Sequence, residues 1–259
     1  MTFRGAILDL DGTVVRGDEL VPGARDAVAA LRARVDRVLF LTNNPTEPPA
    51  AYAERLGEFG VDADPVDVVT SGTATIAYLD EHHAGDAVYP IAEERVVSQL
   101  RDAEIELTED PEEADVVVAG YHRDFHYTDL QAAIDALDDD TALVGTDPDV
   151  TVPAEHGEKP GSGAIVNAVA GVAEREPDAV LGKPSETTAR LAAERVGVPP
   201  EECVLVGDRL DTDVAMGERV GMTTVLVRTG VATDADVAAS TVRPDHVVDS
   251  LSDVPGVLD

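Results

Sequence analysis

At 259 residues and 44% hydrophobic content, the chain can bury a full core and has room for one large or two modest domains. Its 52 acidic residues face 19 basic ones, a formal charge of -33, so nucleic acid and anionic membrane surfaces are repelled. No apolar run approaches the ~18 residues of a membrane span, the amino terminus lacks the pattern of a secretion signal, and the single Cys203 excludes an intrachain disulfide, all of which fits a cytoplasmic protein.

In chain order the sequence alternates strand and helix. Ala6-Ile7-Leu8 is a first strand that breaks into Asp9-Leu10-Asp11-Gly12-Thr13. Successive side chains of a strand point to opposite faces, so carboxylates two residues apart leave its end on the same side, and Gly12 permits a sharp turn around whatever they hold. Two such carboxylates repel each other unless a cation lies between them; one can then attack phosphorus while the other moves the proton. An isolated pair also reads as an Asx turn closing the strand.

Pro22-Gly23 opens a helix to about residue 33 whose Ala24, Val28 and Leu31 form a buried stripe. Val38-Leu39-Phe40-Leu41 is a second buried strand and runs into Thr42-Asn43-Asn44, hydroxyl and amide groups suited to phosphate oxygens. Helices over 48–59 and 72–83 flank a short strand at 66–69. Strands at 87–91, 105–107, 116–119 and 143–144 are interleaved with helices at 93–102, 128–137 and 163–174. Ala179-Val180-Leu181 then leads into Gly182-Lys183-Pro184, and Cys203-Val204-Leu205-Val206 leads into Gly207-Asp208, followed by Asp211 and Asp213. Cys203 itself reads as a small buried hydrophobe. Four apolar runs thus end in residues fit for phosphate or metal, and in a parallel sheet four such ends lie along one edge.

These motifs resemble those of the haloacid dehalogenase (HAD) superfamily, specifically its NagD-like, p-nitrophenylphosphatase-like branch (subfamily IIA). The resemblance extends over nearly the whole chain, with Thr146-Asp147-Pro148-Asp149 and Pro160-Gly161-Ser162-Gly163-Ala164 similar to the cap segment of that branch. It implies an α/β fold: a three-layer Rossmann-like core with a parallel sheet and an inserted α/β cap of the C2 type. Spacing agrees, because the interval from Asn44 to Lys183 is far longer than one crossover unit needs. The expected division is a catalytic core of residues 1–84 and 182–259 and a substrate-selecting cap of residues 85–181.

The implied activity is Mg²⁺-dependent hydrolysis of small phosphorylated metabolites through an aspartyl phosphate. Asp9 is the expected nucleophile and Asp11 the general acid and base. Thr42, Asn43 and Lys183 are to bind the phosphate, with Lys183 also neutralising the transition state. Mg²⁺ is assigned to Asp9, Asp208 and the backbone carbonyl of Asp11. Asp213 is expected to orient Lys183 or a metal-bound water without holding the metal itself, with Asp211 the weaker candidate for that duty. Asp147 and Ser162 are expected to contact the substrate.

Two departures from the branch's pattern fall in the cap: His122, His126 and Tyr127 follow Gly120 where similar proteins often carry an aspartate after the glycine, and Asp147 stands where asparagine is common. His122 and His126 are read as ordinary loop residues. A phosphomutase or phosphotransferase acting on sugar phosphates, and a regulatory module that binds phosphate without turnover, remain alternatives; a pump domain would need membrane spans. Partners are then confined to a small metabolite, and the resemblance admits a homodimer. The acidic excess, the few lysines and the 3% aromatic content suit a halophile's cytosol at molar salt.

Overall fold

The computed structural model describes residues 3–154 and 156–258. In chain order they form β1 (Gly5–Asp9), β2 (Val15–Arg16), β3 (Glu19–Leu20), α1 (Ala24–Arg32), β4 (Arg37–Thr42), α2 (Pro49–Glu58), β5 (Val68–Thr70) and α3 (Ser71–His82). There follow β6 (Val88–Ile91), α4 (Glu94–Asp102), β7 (Val116–Ala119), α5 (Tyr127–Ala136), β8 (Ala142–Gly145), β9 (Thr151–Pro153), β10 (Glu158–Pro160), α6 (Ser162–Val172) and β11 (Ala179–Val180). The remainder is α7 (Glu186–Val196), β12 (Cys203–Gly207), a π-helical turn (Leu210–Val214), α8 (Ala215–Val220), β13 (Thr223–Val227), α9 (Asp234–Ala239), β14 (His246–Val248) and α10 (Val254–Val257).

The chain divides into two compact units. The first runs up to Thr42 and resumes over Pro49–Val69 and from Lys183 onward; the second comprises Asn43–Pro48 and Thr70–Gly182. The first unit holds a six-stranded sheet in the order β14-β13-β12-β1-β4-β5, with β1 parallel to both β4 and β12, and β13 parallel to β12 and β14. Its strands alternate between two buried faces, as a sheet covered on both sides requires. Ala6, Leu8, Val38, Phe40, Val204 and Val206 pack with Ala24, Ala27, Val28 and Leu31 of α1. The intervening Ile7, Leu39, Leu41 and Leu205 pack with Ala189 and Ala192 of α7 and Met216 of α8. Helix, sheet and helix make the three layers of a Rossmann-like fold. The order also fixes the functional edge: β1 is central, the chain goes to β4 on one side and returns to β12 on the other, and ligands bind at such a switch point, beyond the carboxyl ends of the strands.

The second unit has its own parallel sheet, β11-β8-β7-β6, and a separate antiparallel hairpin of β9 and β10. Val117, Ala119 and Leu143 of its strands share a core with Ala133 and Ala136 of α5 and Ile165, Val166 and Val169 of α6.

Two features differ from the sequence reading. The expected strand at 105–107 is reduced to a single bridge between Val88 and Leu107, on the edge of β6 that β7 leaves free. The seam expected after residue 84 lies earlier, so that α3 and the segment Asn43–Pro48 group with the second unit. Local hydrogen bonds account for this: Ser71 Oγ donates to the Asn43 carbonyl at 2.6 Å, and Gln99 Nε2 of α4 donates to the Pro45 carbonyl at 2.8 Å. No helix among the described residues is long and apolar enough to cross a membrane.

Of the acidic residues, only Asp9, Asp147, Asp208 and Asp213 are buried among the described residues, so the charge excess is a surface property. Surface repulsion acts over a Debye length of about 10 Å at 0.1 M salt and about 3 Å at 1 M. The melting temperature is therefore expected to rise from dilute buffer to molar KCl, by about 2–4 °C for each kcal/mol of repulsion removed. A melting temperature that stays constant over this range would contradict the halophilic reading.

Candidate active site

The first unit's sheet edge gathers the motif residues. In the β1–β4 register Asp9 lies opposite Leu41, and Leu10 N–H donates to the Leu41 carbonyl at 3.2 Å, which brings Thr42 alongside the Asp9-Leu10-Asp11 turn. In the β1–β12 register Leu8 lies opposite Val206, so Asp208 emerges two residues later at the same edge. Lys183, at the first position of its segment of the unit, extends its ammonium between Asp9 and Asp213.

All four ionic residues of this cluster are buried: Asp9 is 5% exposed, Lys183 3%, Asp208 2% and Asp213 1%. Lys183 Nζ donates to Asp9 Oδ1 and, at 2.7 Å, to Asp213 Oδ1. The second oxygen of Asp213 accepts from the Arg209 N–H at 3.1 Å and faces the Thr212 hydroxyl at 3.4 Å. Both carboxylate oxygens of Asp213 thereby have hydrogen-bonding partners within the protein. Asp9 differs, since its Oδ2 is buried and has no hydrogen-bond partner.

Charge decides the state of the lysine. Burial alone would lower its pKa, but the carboxylates of Asp213 and Asp9 outweigh burial and raise it above the ordinary lysine value, so it stays an ammonium. Burial pushes the Asp9 carboxyl up, against the pull of Lys183 and with repulsion from Asp213 and Asp208. Asp208 is pushed to about 6, first by burial and then by Asp213, partly offset by the Val231 N–H.

Asp9, Asp208 and Asp213 can each offer a carboxylate oxygen within 4.8 Å of the others. Three carboxylates against one ammonium leave two excess negative charges in a buried place. This all-oxygen set fits a hard divalent cation.

The Asp11 carboxyl lies outside that cluster. Its side chain is solvent-exposed at the mouth of the turn, where Thr42 Oγ1 approaches its Oδ2 at 3.5 Å. Desolvation by the surrounding protein nonetheless raises its pKa, with Arg55 and Lys183 pulling the other way. A carboxyl raised in this way and open to solvent suits proton transfer more than metal ligation.

Gly12 is required as glycine. It has φ +93°, and a β-carbon there would collide with the Asp208 carboxylate. Gly230 meets the same carboxylate, and the adjoining Val231 N–H donates to Asp208 Oδ2 at 2.6 Å. Thr229 Oγ1 closes the arrangement by donating to the Gly12 carbonyl at 2.6 Å. The sequence reading missed the segment Thr229-Gly230-Val231, although it follows the apolar β13 just as the recognised motifs follow their strands. It also missed Arg55, which acts on Asp11 from α2 and carries no local signal.

In the second unit Asn43 Nδ2 donates to Asp149 Oδ2 at 3.2 Å. Asp147 and Ser162 are each 2% exposed and hydrogen-bond to each other. Their polar groups are thus engaged within the protein. His122 sits edge-on to the Phe125 ring at 6.2 Å between centroids, and His126 is exposed.

Comparison with known proteins agrees with this geometry. The model of the haloacid dehalogenase-like hydrolases matches residues 6–106, and that of the HAD-hydrolase-like family matches residues 180–254. The chain is 34% identical over 250 residues to the sugar-phosphatase AraL of Bacillus subtilis, covering 96% of this chain and 91% of that one. Among solved structures it is similar to a p-nitrophenyl phosphatase from Archaeoglobus fulgidus, with TM-score 0.91 and 31% identity over 99% of this chain and 100% of that one. NagD from E. coli K-12 has TM-score 0.87 and 28% identity over 97% and 98% of the two chains. The chain belongs to the haloacid dehalogenase-like hydrolases, in their NagD-like, p-nitrophenylphosphatase-like branch, and is a phosphatase.

Proposed function

We propose that the protein is a Mg²⁺-dependent hydrolase of small phosphate monoesters, with Asp9 as nucleophile and an aspartyl phosphate as intermediate. The observation that carries this reading is the asymmetry of Asp9. One oxygen is held by Lys183, while the other is buried without a protein partner. The carboxylate is therefore oriented and has one oxygen available to react.

Mg²⁺, held by Asp9, Asp208 and the Asp11 backbone carbonyl, would neutralise the phosphate dianion and keep the Asp9 carboxyl ionised despite its burial. Asp9 Oδ2 attacks phosphorus, and the bond to the ester oxygen breaks. Asp11 gives its proton to that oxygen, so the product leaves as an alcohol. Water then attacks the aspartyl phosphate, Asp11 takes its proton, and Asp9 and inorganic phosphate are released. Lys183 provides a fixed positive charge that does not have to reorganise during either step. Thr42 and Asn43 hold non-reacting phosphate oxygens, and Asp213 fixes Lys183.

The raised Asp11 carboxyl favours turnover over a module that only stores phosphate, because hydrolysis needs a group that donates and then accepts a proton. Similarity to a relative named a sugar-phosphatase favours sugar phosphates among the small esters. A surface of this negative charge disfavours phosphoproteins and polynucleotides. A panel of phosphorylated metabolites and p-nitrophenyl phosphate, assayed for phosphate release with Mg²⁺ in concentrated KCl, tests the reading. EDTA is expected to remove activity and excess Mg²⁺ to restore it; undiminished turnover in EDTA would reject the metal assignment.

A further inference from the structure

Away from the cluster around Asp9, one more carboxyl is buried among the described residues, and the second unit builds a polar arrangement around it. Asp147 Oδ1 accepts from the Asp149 N–H at 3.1 Å, its Oδ2 faces the Thr146 hydroxyl at 3.3 Å, and Ser162 of α6 hydrogen-bonds to it. Asp149 directs its own carboxylate at Asn43 Nδ2. Gly182 completes the contact: a β-carbon there would lie 2.8 Å from Asn43 Oδ1 and 2.9 Å from Asp147 Cβ. The Asn43 side chain and Asp147 therefore pack on the same bare backbone position.

The loop bearing both carboxyls is clamped. The Gly161 N–H donates to the Val150 carbonyl and the Gly163 N–H to the Asp149 carbonyl, each at 2.9 Å. Asn43 is held at its main chain too, by Ser71 Oγ. Such a cradle fixes the direction of the Asn43 amide, and Asp147 is its one buried titratable member.

We propose that Asp147 is a positioning residue for phosphate binding: as the neutral acid it leaves Asp149 to hold the Asn43 amide, and as the carboxylate it repels Asp149 and loosens that hold. The inference rests on the proposed role of Asn43 at the phosphate. The groups facing Asp147 are Thr146 at the end of β8, Ser162 on α6, Asn43 and Gly182, none of them charged, and Asp149 within its own loop, whose charge opposes ionisation. Burial first, with that repulsion added and the hydrogen bonds opposing, raises the Asp147 carboxyl to about 7. Substrate affinity should therefore be highest below this point and fall as pH rises through it.

The test compares wild type with Asp147→Asn, in which an amide replaces the neutral acid and cannot ionise. KM and kcat for p-nitrophenyl phosphate are measured in each enzyme from about pH 5.5 to about pH 8.5 with Mg²⁺ in concentrated KCl. Titrations of substrate and metal ligands are common to both enzymes and cancel in the ratio. The ratio of wild-type KM to variant KM is expected to rise about tenfold across this range, up to a decade per pH unit above the titration, while the ratio of kcat values stays level. A KM ratio independent of pH would overturn the proposal.

A measurement on the wild-type protein does not depend on the variant's folding. The side-chain amide signal of Asn43, followed by NMR, should move with a midpoint near the Asp147 titration. A stationary signal overturns the proposal. If that signal moves but Asn43→Ala leaves KM unchanged, the role of Asn43 at the phosphate has failed, and the proposal falls with it while the coupling itself stands.

Discussion

Asp9→Asn is expected to lower phosphate release from p-nitrophenyl phosphate by about 10³-fold or more while leaving the fold intact. The amide keeps the size of the side chain and can still face Lys183, but it has no charged oxygen with which to attack phosphorus. The oxygen proposed to attack is the one that makes no hydrogen bond, so the substitution is expected to remove reactivity without orphaning a polar partner other than the lysine, which Asp213 still holds. Activity within about tenfold of wild type would sink the assignment. Asp11→Asn is also expected to be severe, but for another reason: the first transfer retains its nucleophile while the general base for hydrolysis is gone. A phosphorylated species stable enough to detect by mass spectrometry would distinguish the two roles, and its absence in Asp9→Asn is part of the same expectation.

Lys183→Met should damage both activity and stability. The ammonium is buried between Asp9 and Asp213, and its removal leaves carboxylates in a low-dielectric site with no cation supplied by the chain. Breaking a buried ion pair by removing one partner typically costs about 3–5 kcal/mol, equivalent here to roughly 6–20 °C in melting temperature. Adding Asp213→Asn to the same variant should recover much of the stability, because one of the uncompensated charges is then gone, while phosphate release stays as low as in the single variant. That split separates the electrostatic duty of Lys183 in the fold from its duty toward phosphate. A single variant with an unchanged melting temperature would show that the lysine does not neutralise the buried cluster.

The strand-ending motifs were legible because each is local. An apolar run followed by Asp, Thr-Asn, Gly-Lys or Gly-Asp states both the strand and the group at its end, and parallel pairing then aligns the ends. Alternation on two buried faces left the strands as unbroken apolar runs, which is how β1, β4 and β12 were found. Elements without such a signal were missed or misread. The hairpin of β9 and β10 is largely exposed and short of apolar residues, and Ile105 and Leu107 alternate with Glu106 as a strand would without the segment being paired as one.

By itself, then, the sequence determined the family and the parallel α/β plan and singled out Asp9, Asp11, Thr42, Asn43, Lys183, Asp208 and Asp213 as candidates, since these depend on residue type and local spacing. Tertiary structure alone decided which oxygen of Asp9 is held by Lys183, that the Thr229-Gly230-Val231 segment embraces Asp208, that Arg55 acts on Asp11, and that Asp147 and Ser162 face each other instead of solvent. These depend on distances between residues up to 217 positions apart in the chain, set by how helices and strands pack and not by any local pattern.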